Sequence, residues 1–182
     1  MSELSRGYLG ASTSISIVTK EMPEISFLST QGRNVNLGAF PEESYVLFIY
    51  PKTGRPDQPV SAEWETIPGA KGCTAESCQF RDLNAEYEQL GVSVLGLSSQ
   101  DTEYQREAVE RLHLPYPLLA DPGRLLAKHF DLPTFDFEGM TLYKRLTLVV
   151  RGGRVEEAFF PIHDPESHAS WLLEHLRTTR AV

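Results

Sequence analysis

Cys73 and Cys78 are the only two cysteines of the chain, and they stand five residues apart between Gly72 and Asp82, where a glycine-bearing loop gives way to a helical apolar pattern. A helix N-terminus carries unpaired N–H donors and partial positive charge, so a cysteine placed there has its thiolate stabilised and its pKa lowered. The reactive form of cysteine is that thiolate, and the placement predicts redox chemistry at Cys73. Two thiols are too few for a disulfide scaffold in a chain of 182 residues. They also make no metal centre: with a four-residue gap and five scattered histidines (His113, His129, His163, His168, His175), no four-ligand spacing is present.

The five-residue offset makes a mechanical prediction. On one α-helix, residues i and i+5 are about 7.5 Å apart along the axis and face directions about 140° apart, so their Cα atoms are roughly 8 to 9 Å apart. A disulfide tolerates about 7 Å at most. Bridging Cys73 to Cys78 therefore requires the first turns of the helix to unwind and, on reduction, to rewind.

The elements that position these thiols alternate. Ser44 to Tyr50 is a nearly continuous apolar run ending at Pro51, which suits a strand buried on both faces. Phe80, Leu83, Tyr87 and Leu90 then recur at three- and four-residue steps, giving a helical stripe that stops at Gly91. Val92 to Ser98 reads as a second buried strand, and Thr102 to His113 as a charged amphipathic helix with Asp101 as its N-cap. Strand, helix, strand and helix in succession imply parallel pairing. Arg145 to Val150 and Arg154 to Phe160 flank Gly152-Gly153, a tight-hairpin signal, and Asp164-Pro165-Glu166 opens a last helix with a Leu172, Leu173, Leu176 stripe. With a further hairpin around Gln31-Gly32, this is the order of elements of an α/β, thioredoxin-like fold: a central mixed sheet flanked by helices. The expected organisation is an N-terminal extension over residues 1–20 and one domain over 21–182, with a Pro- and Gly-rich insertion at about 52–71.

Composition limits the function classes. Hydrophobic residues make up 41% and charged residues 23%, and no apolar run approaches the ~20 residues that span a bilayer, so no membrane association is expected. The formal net charge of −8 argues against a nucleic-acid partner, which needs concentrated Lys and Arg. The Ser- and Thr-rich start lacks a basic region followed by an apolar block, and a cytoplasmic location is the resulting expectation.

Over roughly Met22 to Leu176 the sequence resembles the peroxiredoxins, most closely the bacterioferritin comigratory protein subgroup. The matching pieces run in family order: Met22 to Ile25, Phe48 to Pro51, Gly72-Cys73-Thr74 with Cys78 and Phe80 to Asp82, Gly96 to Ser98, Pro117 to Pro122, and Arg145 to Thr147. The resemblance implies a thiol peroxidase acting on hydrogen peroxide and organic hydroperoxides without a cofactor. Cys73 would be the peroxidatic nucleophile and Cys78 the resolving cysteine of an intramolecular disulfide, which thioredoxin or a related dithiol would reduce. Arg145 would stabilise thiolate and peroxide. Resolution within one chain needs no partner subunit's cysteine, which favours a monomer. The family's threonine three residues before the nucleophile is replaced by Ala70. Thr53, beside the end of the first core strand, is the expected substitute for orienting the peroxide, with Thr66 as the alternative.

Several residues admit plainer readings. Trp64 is a lid over the thiol or, more ordinarily, a pin holding the inserted loop to the core. Glu76 and Arg81 near a helix start are explained by helix electrostatics and ion pairing, and His113 and His129 by structural roles. Two other functions fit the fold: a disulfide oxidoreductase, which would ordinarily use Cys-x-x-Cys, and a binding module with inert thiols.

Overall fold

The chain from residue 15 to residue 180 is described by a computed structural model. The hairpin expected around Gln31-Gly32 forms between β1 (Ser26–Ser29) and β2 (Asn34–Asn36), with Phe27 opposite Val35. The apolar run makes β3 (Ser44–Ile49), every residue of which is buried. After it come α1 (Ala62–Thr66), α2 (Cys73–Gln89), β4 (Ser93–Ser98) and α3 (Thr102–Leu112). The C-terminal half adds β5 (Leu118–Ala120), α4 (Leu125–Phe130), β6 (Thr134–Phe137), β7 (Met140–Tyr143), β8 (Leu146–Arg151), β9 (Arg154–Phe159) and α5 (His168–Arg180).

Seven strands form one sheet in the order β2-β1-β5-β4-β3-β8-β9. β3, β4 and β5 pair in parallel, as the strand–helix–strand succession requires, whereas β8 and β9 pair antiparallel beside β3. Burial on both faces explains why β3 lacks alternation: Tyr45, Leu47 and Ile49 enter one apolar cluster and Val46, Phe48 and Tyr50 the other. The second cluster lies under α2 and α5 and contains Cys73, Phe80, Tyr87, Leu172 and Leu176. The turn between β8 and β9 has both Gly152 and Gly153 at positive φ, 55° and 74°, a conformation that side chains bearing a Cβ resist.

Three features depart from the expectation. Residues 52–71 are more than a loop: Ser61 caps α1 by accepting from the Trp64 N–H, and Trp64, 5% exposed, packs with Ala70, Phe137 and Leu142. Trp64 thus pins the insertion. Its ring meets Phe137 edge-on at 4.9 Å, on the β6–β7 hairpin, an element without a counterpart in the expected order. The last helix begins at His168 rather than at Asp164-Pro165-Glu166, because Ser167 donates to the Asp164 carboxylate and residues 165–167 make a separate turn. Of the extension, residues 1–14 lie outside the described residues; Ile17 is buried in the core, and the Thr19 N–H donates to Val155 on β9 at 2.8 Å. Among the described residues, no helix is long and apolar enough to cross a membrane.

Candidate active site

Cys73 is the first residue of α2, and Gly72 is its N-cap. Only glycine suits position 72: its φ is 102°, and a Cβ there would come within 2.5 Å of the Pro165 ring. As the first helical residue, Cys73 has its N–H among those left without an intrahelical partner. The thiol, 3% exposed, lies beside the end of β3, and the main-chain N–H of Lys52 faces its sulfur. Carboxyl ends of parallel strands are where such folds collect ligands.

Arg145, just before β8, reaches the same sulfur. Its Nη2 lies 3.1 Å from Cys73 Sγ and also donates to the Ala70 and Lys71 carbonyls, while its Nε donates to Gly69 at 3.3 Å. Nη1 forms an ion pair with the Glu76 carboxylate, and both side chains are fully buried. Glu76 is ion-paired, as its place near a helix start suggested, but the fold buries that pair one helical turn from Cys73, on the same guanidinium. A surface role for Arg145 is equally excluded, since it is 3% exposed.

Burial pushes the Cys73 thiol above its ordinary value; Arg145 and the Lys52 N–H pull it down, and the nearby Glu76 carboxylate pushes it up again. The expectation of a lowered thiol weighed the helix terminus and Arg145, and left out desolvation and the competing carboxylate. Burial likewise raises Glu76 to about 7, against the pull of Arg145. The two acids share one cation. With a single proton between them the pocket is neutral overall, so moving that proton from thiol to carboxylate creates the thiolate without adding buried charge.

The remaining residues are placed as follows. Thr53 is fully buried next to Lys52, and its hydroxyl and N–H both donate to Gln100 Oε1, at 3.3 and 3.0 Å. Thr66 lies on the exposed face of α1 and donates to the Glu63 carbonyl. Cys78 is partly exposed further along α2, and both cysteines are free thiols. Arg81 donates to Asp82 and to the Leu112 carbonyl, His113 caps α3, and His129 stands against Phe130. Among the described residues, no group of three or more His, Cys, Asp or Glu side chains could hold a metal. Sequence reasoning missed Lys52, whose contribution is a backbone donor; the Pro51 stop at the end of a buried strand was the available signal.

A buried thiol at a helix N-terminus, beside an arginine on a thioredoxin-like sheet, defines a redoxin-type site. The chain belongs to the redoxin family, whose profile matches residues 17–171. The curated relatives it resembles are peroxiredoxins of the Q type. The chain is 29% identical to the chloroplastic peroxiredoxin Q of Suaeda salsa over 97% of this chain and 78% of that protein. To the Gentiana triflora protein of the same name it is 28% identical over 86% of this chain, spanning 64% of that relative's length. The crystal structure of peroxidoxin BcpB from Mycobacterium tuberculosis superposes with a TM-score of 0.71 at 25% identity, covering 88% of this chain and 96% of that one.

Proposed function

We propose that the protein is a thiol-dependent peroxidase working by an intramolecular two-cysteine cycle. The observation that carries this reading is the Arg145 guanidinium 3.1 Å from a sulfur that also faces the Lys52 N–H. Attack by the Cys73 thiolate forms an S–O bond and breaks the O–O bond. The departing oxygen leaves as alkoxide or hydroxide and takes a proton, giving alcohol or water and a sulfenic acid on Cys73. Negative charge passes from sulfur to the leaving oxygen, and Arg145 with the Lys52 N–H supplies fixed donors along that path. The Cys78 thiolate then attacks the oxidised sulfur, expels hydroxide and closes a disulfide, which an external dithiol of the thioredoxin type reduces.

Thr53 enters as the orienting hydroxyl. Having donated its proton to Gln100, it keeps lone pairs to accept from the peroxide O–H. Both cysteines start on α2, so the disulfide requires the opening of that helix between them. Closure within one chain is compatible with a monomer.

The test is addition of hydrogen peroxide to the reduced protein, followed by mass spectrometry. The parent should show an intrachain Cys73–Cys78 bridge, Cys78→Ser a sulfur oxyacid on Cys73, and Cys73→Ser no product. Peroxide consumption surviving in Cys73→Ser would end the reading. Thr53→Val should slow oxidation while Thr66→Val does not; the reverse result would move the orienting role to Thr66.

A further inference from the structure

The last helix, α5, begins with donors that its own ladder does not use. Its first intrahelical bond runs from the Trp171 N–H to the Ser167 carbonyl at 3.0 Å, so the N–H groups of Ala169 and Ser170 lie ahead of the ladder. A serine at the helix start ordinarily takes such donors, but the Ser167 hydroxyl is turned to the Asp164 carboxylate, to which it donates. The acceptor comes from another helix: Gln79 Oε1, on α2, takes the Ala169 N–H at 2.8 Å and the Ser170 N–H at 3.2 Å.

The other end of the same amide is fixed as well, because Gln79 Nε2 donates to the Glu166 carbonyl. One half-buried side chain therefore holds the turn that opens α5 from both sides. The same segment meets α2 ahead of the nucleophile, where the Pro165 ring lies so close over Gly72 that a Cβ there would come within 2.5 Å of it. Gly72 and Gln79 are the residues immediately before Cys73 and immediately after Cys78. Residues 165–170 thus form a splint fixed to both ends of the stretch that carries the two sulfurs.

Joining the sulfurs loads this splint at Gln79. The two cysteine Cα atoms start about 8 to 9 Å apart on the helix and must come within about 7 Å. Phe80 does not follow Cys78, since it is fully buried with its ring stacked on Phe48 at 4.7 Å. Gln79 is the one residue between the cysteine that moves and the phenylalanine that stays, and its Cα is held about 3.8 Å from that of Cys78. Hydrogen bonds of 2.8 and 3.2 Å are lost on a displacement of about 1 to 2 Å.

We propose that Gln79 is a positioning residue for the resolving step: its tie to the first turn of α5 holds Cys78 in the helix, and closing the Cys73–Cys78 bridge breaks that tie and uncaps α5. The inference deepens the two-cysteine reading and rests on it. The covalent step is unchanged: the Cys78 thiolate forms the S–S bond, the S–O bond of the sulfenic acid breaks and hydroxide leaves, while Gln79 exchanges hydrogen bonds only.

The experiment separates the two steps by rapid quench after a single addition of hydrogen peroxide, with mass spectrometry following first the loss of the Cys73 thiol and then the appearance of the bridge. Leucine and glutamine have nearly equal helix propensity, so Gln79→Leu removes the tie without weakening α2 itself. In that variant the bridge should close about tenfold faster, the net contribution of one to two hydrogen bonds, while loss of the Cys73 thiol stays within about twofold of the parent. Gln79→Glu keeps acceptor oxygens for the two N–H groups and should close more slowly than Gln79→Leu. Closure in Gln79→Leu at the parent rate or below it, or equal rates in the two variants, overturns the proposal while the two-cysteine reading stands. A second arm uses the parent alone and so holds whether or not a variant folds: the Ala169 and Ser170 amides should be protected from hydrogen exchange in the reduced protein and exchange at least tenfold faster in the bridged one. Equal protection in both forms also overturns it. A parent that consumes peroxide without forming the bridge would instead overturn the two-cysteine reading, and the proposal with it.

Discussion

Replacing Glu76 by Gln tests the idea that two buried acids compete for Arg145. The amide keeps an acceptor oxygen for Nη1 and removes the negative charge. Sulfur and carboxylate contact the two terminal nitrogens of one guanidinium, and two like charges about 6 Å apart at an effective dielectric of about 20 repel by about 3 kcal/mol, or about two pKa units. In Glu76→Gln the Cys73 thiol should therefore titrate up to about two units lower. The assay is the pH dependence of iodoacetamide alkylation in a Cys78→Ser background, with ultraviolet thiolate absorbance as a second probe. Well above pH 7, where the parent's Glu76 is ionised, the thiolate fraction rises up to ~100-fold, but a less basic thiolate is a weaker nucleophile, so the net gain in alkylation rate is about tenfold. Below about pH 7, where Glu76 takes up its proton, parent and variant should converge. An unmoved or raised midpoint would refute the shared-cation argument.

Arg145→Met strands the Glu76 carboxylate without its ion-pair partner and should cost about 3–5 kcal/mol in denaturant unfolding. Adding Glu76→Met should recover most of that stability while peroxide turnover stays about 10²–10³-fold down, because the transition-state donor is still missing. Gly72→Ala forces a side chain into positive φ and onto Pro165; calorimetry should show a loss of about 1–3 kcal/mol. His168 is buried against Thr147 and its pKa is lowered to about 3, chiefly by desolvation and secondly by Arg145. Between that value and the ordinary 6.5 the unfolded chain binds the extra proton, so this stabilisation is intact above about pH 6.5 and declines as pH falls toward 3, by about 2 kcal/mol at pH 5. Glu76, with its folded value raised, works in the opposite sense between about 4.5 and 7, where stability falls as pH rises. Unfolding of the parent, His168→Gln and Glu76→Gln across pH 5 to 7 should resolve two slopes of opposite sign.

What could be read from the sequence follows from how each element is stabilised. β3 and β4 are buried on both faces and so appear as continuous apolar runs; α3 is marked by Asp101, whose side chain accepts from the Tyr104 N–H; the β8–β9 turn declares itself in two glycines. α4, six residues long, is too short for a helical period to show. The β6–β7 hairpin did carry a signal, alternating Phe135 and Phe137 before Glu138-Gly139, both at positive φ. At the site, cysteine and arginine side chains announce their chemistry by type. Glu76 did not, because an acid in a first helical turn is ordinarily solvated, and only the tertiary fold brings Arg145 over it. Lys52 acts through a peptide N–H, which any residue but proline would present.

Glu76 rides on α2 midway between the two cysteines, so whatever loosens that segment to join the sulfurs also pulls the carboxylate off its guanidinium. Arg145 is then left in the interior with carbonyl oxygens alone. A conformer bridged in that way would carry a charge imbalance that the reduced one lacks, and the imbalance would act as a latch favouring re-formation of the helix once the bridge is cut.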